Sequence, residues 1–129
     1  MAEDNKHPVA EPEVHLLPHG FIGQVTIHHG RADGAPATRE GDARLYRIPA
    51  DGVLATQAAA NYGIRPPERM QYYWTSAAGE RTALPVRPTA EPGVLAFYQV
   101  GPDAFYVVDR PENAGQYRNP ALRESPPRG

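Results

Sequence analysis

Cysteine is absent from this chain of 129 residues. Its absence excludes disulfide staples, thiol nucleophiles and zinc sites built on thiolates. Lysine occurs once, at Lys6. That argues against a Schiff-base lysine, and no Gly-x-x-x-x-Gly-Lys loop is present to cradle a phosphate. Serine occurs only at Ser76 and Ser125. Neither lies in a Gly-x-Ser-x-Gly elbow, which argues against a serine hydrolase. No dinucleotide fingerprint is present, and no apolar run approaches the ~20 residues that span a bilayer. The formal net charge is only −2, and the arginines are interleaved with acids. The chain has no long-range field to draw in DNA or an anionic membrane, and no nucleic-acid partner is expected.

Glycine and proline are abundant instead, at 12 and 15 residues. The prolines between residues 18 and 102 fall at the ends of alternating runs, where they delete no ladder hydrogen bond. The runs themselves have period two. Phe21, Gly23, Val25 and Ile27 share one face of a half-buried strand, and Met70, Tyr72 and Trp74 share one face of another. Shorter runs are Val14–Leu16, Arg44–Ile48 (Tyr46 and Ile48 inward), Val53–Gln57 and Arg81–Val86. Val94–Val100 and Ala104–Asp109 make a hairpin around Gly101-Pro102-Asp103. Thr56–Asn61 is Ala-rich but too short for a stable helix, and a loop is expected there. The expected fold is all-β: an antiparallel sandwich, immunoglobulin- or transthyretin-like, of seven to eight short strands. Its expected limits are residues 13–110. Residues 1–12 read as a disordered tail. Residues 111–129 read as an irregular Pro-rich tail with one helical turn near Glu112–Gln116.

A family resemblance rests on several segments together: Leu16–Gly23, Tyr46–Leu54, Tyr72-Tyr73-Trp74 with Gly79–Thr82, and Phe105–Val108. The chain resembles an uncharacterised bacterial domain family known only as a domain of unknown function. Its members often sit behind lipoprotein or secretory leaders. More distantly, it is similar to transthyretin-like and carboxypeptidase-regulatory-like sandwiches. The resemblance implies a β-sandwich and lends no catalytic residues. Residues 1–13 are polar and acidic and make no signal peptide. The expected location is cytoplasmic if Met1 is the native start, and periplasmic or extracellular if a leader was removed.

His15, His19, His28 and His29 lie within fifteen residues, and imidazole is the commonest metal ligand. A hairpin turning at Pro18–Phe21 would set His15 opposite Gln24 and His28 far up the other strand. His28 and His29 would point to opposite faces. The expectation is therefore surface histidines on a wet sheet face, with His15, His19 and His28 as weak metal candidates. Tyr73 is expected to be exposed beside Tyr98 or Tyr106, a row of rings that could stack on a ligand or merely stabilise the sheet. Asp33, Glu40 and Asp42 match no calcium-loop spacing. No catalytic residue and no cofactor is assigned. The functional expectation is a non-enzymatic binding or accessory module that meets a partner protein through loops or an edge strand. The alternative is a carbohydrate-binding module using exposed tyrosines. A weaker one is a hydrolase with a carboxylate pair or a histidine-bound metal.

Overall fold

The computed structural model describes residues 9–86 and 91–117. Nine strands form two sheets among them. They are β1 (Glu13–Pro18), β2 (Gly23–His28), β3 (Thr38–Glu40), β4 (Ala43–Arg47), β5 (Val53–Ala55), β6 (Met70–Thr75), β7 (Arg81–Ala83), β8 (Gly93–Val100) and β9 (Asp103–Asp109). One sheet has the order β3-β4-β1-β6-β7 and the other β5-β2-β9-β8. The all-β sandwich expected from the alternating runs is the architecture found. Its inner layer joins Leu17, Ile48, Met70 and Tyr72 of the first sheet to Val25, Ile27, Tyr106 and Val108 of the second.

The strand directions differ from expectation. β1 runs parallel to both β4 and β6, and β2 runs parallel to β5; the remaining pairs are antiparallel. β1 and β2 do not form a hairpin. The Pro18–Phe21 turn, closed by the Phe21 amide on the Pro18 carbonyl (3.0 Å), instead carries the chain from one sheet to the other. The physical reason lies in β1 itself, which is buried on both faces. Glu13, His15 and Leu17 face the second sheet, whereas Val14 and Leu16 pack outside with Ala43, Leu45 and Tyr73. A strand covered on both sides belongs at the centre of a sheet, where a parallel neighbour on each flank is natural. The outer cluster is strapped by Arg81 of β7, whose guanidinium pairs with both Glu40 oxygens of β3 at 2.7 and 2.8 Å. These two strands are opposite edges of the same sheet, so the sheet curls far enough to bring its edges within reach.

The turn at Asp51-Gly52 ends with Gly52 at φ +79°, and its carbonyl accepts the Thr26 amide at 2.8 Å. A Cβ there would lie 2.5 Å from the Gln24 carbonyl oxygen. Gly52→Ala is expected to destabilise the domain by about 2 kcal/mol or more, from left-handed strain plus the clash. Urea unfolding checks this as a lowered midpoint with an unchanged slope.

At the inner end of the expected N-terminal tail, Val9 bridges Ile64, and the Ala10 amide donates to the Ile64 carbonyl at 2.8 Å. Residues 9–12 are thus part of the folded body. Residues 1–8 and 118–129 lie outside the described residues. The helical turn expected near Glu112 is a 3-10 segment, Pro111–Gln116. Asp109 holds it by accepting from Asn113 (2.9 Å) and from the Tyr117 hydroxyl (2.7 Å). Among the described residues, no helix is long and apolar enough to cross a membrane.

Candidate functional site

The register of the five-stranded sheet sets His15 beside Tyr46 on one flank and Tyr72 on the other. The ring centroids are 4.9 and 4.5 Å away. From the facing sheet Tyr106 completes the enclosure, its ring 5.2 Å from His15 and edge-on. The exposures of Tyr106, His15 and Glu13 are 0%, 1% and 3%. His15 is therefore no surface histidine: it is the centre of the sandwich.

Polar groups buried so deeply need partners, and each has them. His15 Nδ1 lies 2.8 Å from the Tyr106 hydroxyl, and His15 Nε2 lies 2.7 Å from Glu13 Oε1. Arg65 Nη2 donates to the same carboxylate oxygen at 2.6 Å, and Asn61 Nδ2 donates to Oε2 at 2.8 Å. Asn61 also pairs with the backbone of Glu11, donating to its carbonyl and accepting its amide, both at 2.9 Å. Burial opposes ionisation of Glu13. The hydrogen bond and charge of His15, with Arg65 and Asn61, outweigh it and hold the carboxyl down at about 2. An ionised carboxylate only accepts, so His15 Nε2 donates to it. Burial and the Glu13 charge push the Tyr72 hydroxyl well above its ordinary value. Tyr106 is pushed up likewise by burial, with Tyr72 and Glu13 adding to the effect.

A tyrosine, histidine and glutamate in series have the form of a proton relay. All three are enclosed between the sheets. They act as an interlock between the sheets. Arg65 is the member that reaches outward. Its guanidinium stacks 4.1 Å over Phe97 of β8, and its Nη1 donates to the Asn61 carbonyl at 3.2 Å. Beyond it lies a cavity of about 320 Å³ between β6 and β8, walled by Met70, Tyr72, Val86, Val94 and Leu95. A second hollow of about 310 Å³ lies on the opposite flank, beside Arg39, Arg44 and Tyr46. There Arg44 binds Glu11 Oε2 through Nη2 at 3.1 Å, and Arg39 binds Oε1.

The other histidines are dispersed. His19 meets the Trp74 ring edge-on at 5.8 Å. His28 Nδ1 lies 3.1 Å from Asp103 Oδ1, within ion-pair reach but not aligned as a hydrogen bond. His29 is buried, with Nδ1 2.8 Å from the Pro102 carbonyl and Nε2 3.2 Å from the Tyr46 hydroxyl. Burial lowers its pKa. His15, His19 and His28 are thus engaged separately. Among the described residues, no group of three or more His, Cys, Asp or Glu is placed to hold a metal ion.

The expected tyrosine row is not assembled. Tyr73 belongs to the five-stranded sheet and Tyr98 and Tyr106 to the other. Tyr106 is wholly enclosed, because β9 turns Ala104, Tyr106 and Val108 inward together. Tyr73 packs on the outer cluster and donates to Gln71 Oε1 at 2.9 Å. Sequence reasoning missed Glu13, Asn61 and Arg65. One signal was available for the first: Glu13 and His15 are two apart on a strand and must share a face.

The profile of the family of unknown function DUF6843 matches residues 9–101. The chain belongs to the DUF6843 family. Within the DUF6843 match fall Glu13, His15, Asn61 and Arg65, whereas Tyr106 lies just beyond it. No curated protein matches the chain. Among solved structures, this DUF6843 domain is similar to a Bacillus anthracis protein provisionally named a lipoprotein. The TM-score is 0.60 at 16% identity, covering 95% of this chain and 85% of that one. A likeness at that identity speaks to the fold alone.

Proposed function

We propose that this DUF6843 domain is a non-enzymatic binding module whose ligand enters the flank between β6 and β8. The observation that carries the reading is the cavity of about 320 Å³ beside Arg65. It is concave, mostly apolar and supplied with one convergent polar group, the usual make-up of a ligand site. The groups able to do acid–base chemistry lie sealed behind it, which supports binding over catalysis.

The neutral dye Nile red tests the proposal. The wild-type domain is expected to give a saturable, one-to-one rise in emission. Val86→Phe, which fills the cavity from its wall, is expected to weaken binding at least tenfold. Leu95→Phe serves as a second filling variant, and thermal unfolding verifies that each variant is folded. A linear, non-saturating response, or wild-type binding by both filled variants, overturns the reading.

A further inference from the structure

We infer that the ligand of the Arg65 cavity is a compact apolar molecule with a neutral hydrogen-bond acceptor, such as an amide or ester carbonyl, and that carboxylates and amines are excluded. The inference rests on the binding reading above and names the chemistry of the same site. It follows from how Arg65 is held. The guanidinium is fixed by Glu13 Oε1 (2.6 Å), the Asn61 carbonyl (3.2 Å) and the face of Phe97 (4.1 Å). Its orientation is set before any ligand arrives, so little side-chain freedom is lost on binding. An arginine carries five N–H donors; Glu13 and Asn61 take two and the Tyr72 hydroxyl engages a third, which leaves two for a ligand.

Charge decides which acceptor fits. Glu13 is ionised and enclosed, with His15 and Asn61 as further donors. At the cavity Arg65 and Glu13 therefore offset each other within one contact, and His15, enclosed on the same carboxylate, does not line the cavity. A ligand carboxylate would bring a second negative charge beside Glu13 and give up its hydration against apolar walls. An ammonium group would meet the guanidinium and no free acceptor on the Arg65–Glu13 pair. A neutral carbonyl accepts from the guanidinium at no such cost. The walls Met70, Val86, Val94 and Leu95 supply apolar contact for the rest of the ligand. The volume sits at the small end of the roughly 300–1,000 Å³ typical of ligand pockets, which favours a short body over a long chain.

Displacement of Nile red by octanamide, octanoate and octylamine at neutral pH tests this, since the three share a chain length and differ in head group. Octanamide is expected to displace the dye at a concentration at least tenfold lower than either charged analogue. Arg65→Lys keeps a cation opposite Glu13 but removes the planar fork and its stacking; it is expected to abolish the preference. Should that variant fail to fold, the order of the three compounds on the wild-type domain decides alone. Equal or tighter binding of octanoate or octylamine overturns the inference while leaving the cavity a binding site. Failure of Nile red itself to bind removes both.

Discussion

Glu13→Ala is expected to lower the unfolding free energy by about 3–5 kcal/mol, the range for removing one partner of a buried ion pair. Three donors converge on this carboxylate, from His15, Arg65 and Asn61. Truncation leaves all three facing a void, and the Arg65 charge loses its counter-ion. The same group governs acid stability. Its carboxyl titrates at about 2 in the folded domain, against an ordinary value of 4.5. A depressed pKa gives stability that is complete above about pH 4.5 and is lost as pH falls through 2, worth about 3 kcal/mol in all. Glu13→Gln keeps the shape and removes the titration. Urea unfolding between pH 2 and 6 should show a shallower acid limb in Glu13→Gln than in the wild type. Other carboxylates, among them Glu11 and Asp109, also titrate low and are common to both proteins. The difference between the two curves therefore isolates Glu13. Superimposable acid limbs would show that Glu13 is not held ionised by this cluster.

Tyr106→Ala is expected to cost a similar amount, about 3–5 kcal/mol, for a different reason. Among the described residues, Tyr106 is the largest side chain fully enclosed between the sheets, in contact with the rings of His15, Tyr72 and Phe97. Removing it opens a cavity where neighbours on two sheets cannot both relax inward. Tyr106→Phe separates packing from polarity: it keeps the ring and removes only the hydroxyl 2.8 Å from His15 Nδ1. That variant should cost about 1–3 kcal/mol, the penalty of a buried nitrogen left unpaired. Chemical denaturation of both variants measures the two parts. A Tyr106→Phe variant as stable as the wild type would show that the hydroxyl does not hold the imidazole.

The strands themselves were legible because alternation is local. Tyr46 and Ile48 point inward as read, Met70, Tyr72 and Trp74 share one face, and β8 and β9 form the expected hairpin. β1 was the hardest strand to read. Its Val-His-Leu-Leu run shows no clean alternation because both faces are covered, so a surface hairpin with β2 was the simpler inference. The polar centre was not legible at all. Its members are far apart in sequence: 91 residues separate His15 from Tyr106, 52 separate Glu13 from Arg65, and 48 separate Glu13 from Asn61. Isolated histidine and glutamate residues read as surface groups, since burying either alone is costly. Only the company each keeps reverses that judgement.

By itself the sequence determined the class of fold, the places where the chain turns, and the chemistries that have no residues to perform them. Periodicity, proline placement and missing side-chain types are properties of neighbours along the chain. The tertiary structure alone decided which strands pair in parallel, which of the tyrosines is enclosed, and that a glutamate, a histidine and an arginine meet between the sheets. Those outcomes depend on contacts between distant segments, whose free energy exists only once the two sheets have closed on each other.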